Sequence, residues 1–215
     1  MIRHILHWFF QSTAVFLIGL PVTLLGLPLV AVGIFFRRSF PQTAQHHTDP
    51  RYYHLGDWML VRLPTWLLWW DNPCDGLRGD KRGWWDNYCR ENYSFSLGSR
   101  HWYSMWQWAA IRNPANYWSR VVTGCDVRTV ELLAGQQLVD EDNPGWHFLR
   151  ATDAKGKSFY YLGFVFPWWF DRTHAIYGRF GWKLKLAHDG MKPDAPEQDR
   201  IRASVYRVSF WKAID

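Results

Sequence analysis

Hydrophobic and polar positions divide this chain into an apolar start, a tryptophan-rich middle and an alternating end. From Ala14 to Phe36 there is no charged residue, and Arg37 and Arg38 close the run sharply. As a helix the run would reach about 35 Å, at about 1.5 Å per residue. A bilayer's hydrocarbon core is about 30 Å thick, so the run predicts a membrane-inserting helix. Inside it Gly19-Leu20-Pro21 and Gly26-Leu27-Pro28 are followed by Gly33, a period of seven that puts Gly19, Gly26 and Gly33 on one face. Small residues on one face let another helix approach closely in lipid. The three glycines are therefore the expected packing face in the membrane, and a second copy of the chain is an expected partner. Pro21 and Pro28 each remove a backbone donor. The segment is then either a kinked single span or a hairpin that turns back at the prolines.

Residues 41–57 are polar and read as a linker, with His46, His47 and His54 as solvated loop histidines. Residues 58–70 are apolar again but too short to span, and carry Arg62 and Pro64. Their four tryptophans suit either the plane of a membrane interface or a buried amphipathic helix. Trp102, Trp106 and Ala109 fall on one face of a helix expected over residues 99–112. It should end before Asn113-Pro114, because the residue before proline avoids helical backbone. A short helix follows through Val122.

From about Val127 the period changes to two. Ile176 to Leu186 alternates an apolar face with a basic one, Arg179, Lys183 and Lys185, to which Arg207 adds. Residues 146–152 and 158–166 flank Asp153-Ala154-Lys155-Gly156-Lys157, a hairpin turn. Residues 205–211 form a last strand. The predicted class is α+β: an N-terminal hydrophobic membrane helix, central Trp-rich helices and a C-terminal antiparallel β-sheet of four to five strands. The expected divisions are an anchor over 1–40, a Trp-rich helical and loop region over 41–126, and a sheet region over 127–215 that packs on it as one domain.

Composition sharpens the membrane reading. Tryptophan occurs 16 times and aromatics make up 19% of the chain, and such rings suit a surface that is apolar at one end and wet at the other. The net charge of +6 favours anionic partners. Arg37 and Arg38, with the basic strand face, are the expected contacts for lipid head groups, whereas nucleic acid is not expected. Arg37, Arg38 and Arg51 outnumber Arg3 across the apolar run, which directs the C-terminal part to the cytoplasm. Cys74, Cys89 and Cys125 form no disulfide framework and no Cys-x-x-Cys pair.

Chemistry has one candidate, the loop from Asp71 to Asp80. Asp71, Asp75 and Gly76 match calcium-loop positions, but Pro73 and Arg82 stand where ligands are needed, which rejects an EF-hand. A looser oxygen site from Asp71, Asn72, Asp75 and Asp80 would suit a divalent cation. The plainer reading is carboxylates capping successive turns. His101 beside Asp86 is a second, weaker acid–base pairing. No phosphate loop, nucleophile elbow or dinucleotide fingerprint occurs, so no organic cofactor is expected and an enzyme is not the favoured reading.

Leu68-Trp69-Trp70-Asp71-Asn72-Pro73-x-Asp75-Gly76-x-x-Gly79-Asp80, then Gly83-Trp84-Trp85, then Trp108-x-x-Ile111-Arg112-Asn113-Pro114-Ala115-Asn116, resemble a family of uncharacterised tailed-bacteriophage proteins. The resemblance covers roughly residues 15–125. It implies a phage source and the host inner membrane, and transfers no catalytic residue. The expected function is a membrane-anchored phage protein acting by interaction with a phage or host protein. The alternatives are a virion or genome-ejection component, and a membrane-bound metal-dependent enzyme using the acidic loop.

Overall fold

A computed structural model describes residues 1–40, 60–72, 76–77, 97–98, 101–186 and 200–214. The chain forms two compact units. One joins Met1–Ile18 to Ser119–Asp215, and the other is Gly19–Trp118. The division does not follow the three consecutive regions expected from sequence. It falls inside a helix, because the apolar run gives no signal at Ile18.

Helix α1 is continuous from Ile2–Gly33 and passes through both prolines, with a 3-10 turn at Ile34–Phe36. It does not turn back, so the hairpin alternative is corrected. Pro21 and Pro28 stand on its exposed side, while Gly19, Val22, Gly26, Val30 and Gly33 are buried.

The first unit is built on a five-stranded antiparallel sheet in the order β4-β5-β6-β7-β9. Its strands are β4 (Thr129–Gly135), β5 (Gly145–Thr152), β6 (Ser158–Pro167), β7 (His174–Trp182) and β9 (Ser204–Ala213). Short strands β3 (Cys125–Asp126) and β8 (Ile201–Arg202) pair beside it. The β5–β6 turn forms where the sequence placed it. Asp153 accepts from the amides of Lys155 and Lys157, each at 2.8 Å, and Gly156 takes φ +77°, a conformation glycine adopts without steric cost.

One sheet face carries two apolar clusters. Leu149, Ala151, Phe159, Tyr161 and Trp182 pack with Cys125 and Val127, while Val165, Ala175, Tyr177 and Ile214 form the other. The opposite face receives the first half of α1. Trp8 packs edge-on to Phe148 and donates to the Phe180 carbonyl at 3.3 Å. Gln11 donates to the Ser158 carbonyl at 2.9 Å, and Phe16 meets Tyr206 edge-on.

The second unit packs around the other half of α1. Strands β1 (Arg38–Phe40) and β2 (Leu60–Arg62) pair antiparallel. Residues Thr65–Trp70 form a 3-10 helix rather than an extended amphipathic one, because the residues from 60 onward divide between β2 and this helix. Helix α2 (Trp102–Trp106) widens into a π-helical turn at Gln107–Arg112. Ala115 takes φ +47° before a second π-helical stretch, Trp118–Val122. The core joins Val30 and Ile34 to Leu63, Leu67, Leu77, Met105 and Ala109.

Candidate functional site

The glycine face of α1 is occupied by the chain itself. Trp70 donates its indole N–H to the Val22 carbonyl at 2.6 Å, Trp106 to Leu27 at 2.9 Å and Trp102 to Ala31 at 3.0 Å. Buried indoles need an acceptor, and a helix face without side chains exposes backbone carbonyls to them. A Cβ added at Gly26 would stand 2.5 Å from Trp70 Cδ1, and one at Gly33 would collide with Leu67. Gly19, Gly26 and Gly33 therefore form a packing face, but its partners are tryptophan and leucine of the same chain.

The rest of α1 is uncovered. Ile2, Ile5, Leu6, Phe9 and Phe10 are exposed along its first half, and Leu17, Leu24, Leu25 and Val32 along its second. A helix facing water on one side normally carries charged and polar residues there; this one carries no charged residue between Ala14 and Phe36. Arg37 and Arg38 follow it and are exposed, with an Arg37 guanidinium nitrogen donating to the Ile34 carbonyl at 2.9 Å.

A second apolar surface lies at one end of the sheet. Trp168 donates to the Phe210 carbonyl at 2.8 Å, Phe170 stacks on Trp168, and His174 stacks on Trp211 at 4.4 Å. Trp169 is 88% exposed, and Phe170, Phe210 and Trp211 are also exposed. The turn beneath is held by Asp171, which accepts from the Thr173 amide at 2.9 Å, the Thr173 hydroxyl at 2.6 Å and His174 Nδ1 at 2.8 Å. The Thr173 hydrogen bonds hold the Asp171 carboxyl below its usual range. The alternation of the strands did not mark this end, although Trp168, Trp169 and Phe170 stand together in the sequence.

The expected basic face of β7 is split. Gly181 takes φ +107°, and a side chain there would collide with the Tyr160 carbonyl. The alternation reverses at this residue. Phe180 stacks with Phe164, whereas Trp182 packs on Phe159, and these two phenylalanines lie on opposite faces of β6. Trp182 and Leu184 thus pack with the cluster on the Arg179 side, while Lys183 and Lys185 are exposed and lie beyond the end of β7. The three bases do not form one patch.

Arg179 instead joins a row set by strand register. Arg207 pairs with Arg179, Arg179 with Gly163, Gly163 with His147, and His147 with Gly135. Both guanidiniums flank the Tyr177 ring, at 4.9 Å for Arg179 and 5.7 Å for Arg207. A Cβ at Gly163 would stand 2.9 Å from both His147 Nε2 and the Tyr161 hydroxyl. Burial pushes the Tyr161 hydroxyl up to about 12, with Arg179 pulling the other way.

The acidic loop is different from its expectation. The Asp71 carboxylate is buried and accepts from Arg62 Nε at 2.6 Å and the Leu63 amide at 3.3 Å. Asn72 is buried beside it, while Asp75, Asp80 and Asp86 lie outside the described residues. His101 caps α2 through the Tyr103 amide at 3.2 Å. Among the described residues no cluster of His, Cys, Asp and Glu is arranged to hold a metal ion.

By length and composition, α1 with its 3-10 turn, Ile2–Phe36, is able to cross a membrane, the one such helix among the described residues. A family model matches residues 1–212, that of a family of unknown function (DUF7338). No curated protein and no solved structure matches the chain.

Proposed function

We propose, for a chain that belongs to this family and takes no activity from it, that the protein is anchored in the plane of a membrane by the outer face of α1 and acts there by interaction. The observation that carries this reading is the helix itself. Its inner face is covered by the protein's own tryptophans and its outer face is apolar and exposed. A helix apolar all round is stable only when both sides are dry. The exposed aromatic end of the sheet supports the same surroundings, because tryptophan gathers at membrane–water interfaces.

An in-plane helix is favoured over a single crossing by the path of the chain. Residues Met1–Ile18 and Ser119–Asp215 share one unit. A chain that crossed through α1 would have to return, and α1 has no second helix of its kind among the described residues. The excess of Arg37, Arg38 and Arg51 after α1 supports the cytoplasmic side. The resemblance to phage proteins supports the host inner membrane.

Carbonate washing of membranes from cells making the full chain should leave it in the pellet, and detergent should release it. Tags at Met1 and at the C-terminus should be cut by protease from the same side of sealed inner-membrane vesicles. Recovery in the soluble fraction would remove the anchor, and cleavage from opposite sides would restore the single span. Abundance in purified virions would make the protein a particle component instead.

A further inference from the structure

The register row on the sheet carries chemistry that anchoring does not use. Arg207 and Arg179 stand directly opposite each other on adjacent strands. Like charges in that position destabilise a sheet. Six ion pairs are formed by other described residues, Arg62–Asp71, Arg128–Asp126, Arg150–Glu131, His174–Asp171, Arg200–Asp126 and Lys212–Glu141. Neither Arg179 nor Arg207 belongs to one. What holds them is the shared Tyr177 ring, which sits beneath both.

Beside the arginines the row is closely packed rather than open. Gly163 follows Arg179 in register and supplies no side chain. The Tyr161 hydroxyl and His147 Nε2 converge on the space that a side chain there would fill. His147 and Tyr161 are themselves buried and their rings are 5.4 Å apart. The Tyr161 hydroxyl makes no hydrogen bond to another described residue and is not closed off from solvent. Two cations without carboxylates, a donor without an acceptor and an imidazole thus lie side by side. The apolar clusters on either side of them lower the local dielectric, which strengthens any charge-assisted bond formed there.

We infer that Arg179, Arg207, Tyr161 and His147 form a binding site for a phosphate group. Two guanidiniums match the charge of a phosphate dianion, and planar guanidinium forks fit its oxygens. The hydroxyl and the imidazole add donors beyond the two oxygens of a carboxylate. A free phosphate ester and a phospholipid head group offer the same chemistry. The site does not rest on the membrane reading.

Inorganic phosphate titrated into the full chain in uncharged detergent, at constant ionic strength against chloride, should bind saturably and raise the melting temperature. Arg179→Gln and Arg207→Gln should each weaken binding about ten- to a hundred-fold, the scale of a lost hydrogen bond to a charged group. Tyr161→Phe should weaken it less. Lys183→Gln with Lys185→Gln, beyond the end of β7, should leave it unchanged. Arg207→Gln should not lower the melting temperature in chloride, since it relieves a like-charge pair. A structural role would predict the reverse. Phosphatidylcholine vesicles with and without phosphatidic acid separate the sources. Phosphatidic acid-dependent binding that free phosphate competes away identifies a head group, and phosphate binding with no such dependence identifies a free ester. Absence of saturable phosphate binding, or equal losses in the lysine and arginine variants, would overturn the site while leaving the membrane fractionation result standing.

Discussion

The two halves of α1 solve the same packing problem by opposite means. The first half brings its own side chains to the sheet: Trp8, Gln11 and Phe16 reach out to Phe148, Ser158 and Tyr206. The second half withdraws, offering Gly19, Gly26 and Gly33 as a bare track, and Trp70, Trp102 and Trp106 come to it. A helix with large residues docks at a distance and chooses its partner by shape. A helix with none admits partners down to its backbone, and hydrogen bonds to carbonyls then fix their positions. Both halves leave the same kind of surface outside, and that surface gives α1 its hydropathy.

The largest effect should come from the outer surface. Phe9→Ser with Phe10→Ser should weaken vesicle binding by about 3–6 kcal/mol, at about 1.5–3 kcal/mol for each buried ring, and leave the melting temperature in detergent nearly unchanged. Loss of stability without loss of binding would mean that this face packs on protein. Next comes the bare track. Gly26→Val drives a branched side chain into Trp70 and should cost about 3 kcal/mol, at the upper end for overpacking, read by denaturant melts of tryptophan emission. A mild effect would mean that Trp70 is not seated on the helix.

Trp106→Phe keeps the ring and removes the N–H that bonds Leu27. It should cost about 1 kcal/mol, the net worth of one such bond, in the same melt. The smallest effect is one of pH and concerns the sheet unit alone. Burial pushes the Cys125 thiol from 9.0 up to about 12. The folded state then holds a proton that the unfolded chain releases earlier. That contribution is whole below about pH 9 and is lost as pH rises toward about 12. Cys125→Ala should flatten the stability profile in the lower part of this range, where Tyr161, itself raised from 10.0 to about 12, has not begun to contribute.

The sheet was largely legible because alternation reports a strand's two faces directly. The hairpin around Gly156 was legible for a similar reason, since Asp and Gly mark the turn they make. Gly181 was not. It inverts the alternation with no change in residue type, so Lys183 and Lys185 read as neighbours of Arg179 when they are not. The glycine track was legible as a packing face, but a sequence names no partner, and lipid-facing helices are only one class that fits it. The phosphate row was invisible for a stricter reason. His147, Gly163, Arg179 and Arg207 lie on four strands, and only pairing brings them into line. The loop from Asp71 gave no sign of Arg62, which holds Asp71 from nine residues earlier and carries no loop signature.

The sharing of one unit between Met1–Ile18 and Ser119–Asp215 sets an order of events during synthesis. The start of α1 leaves the ribosome first, and β9, the strand that carries Tyr206, leaves last. At about 5–20 residues per second, roughly 10–40 seconds separate them. Through that interval Trp8 and Phe16 have no sheet to meet, while the most apolar stretch of the chain is already outside. On the proposed anchoring, a nascent chain of this kind would need a bilayer, or a chaperone that stands in for one, before its β-sheet exists.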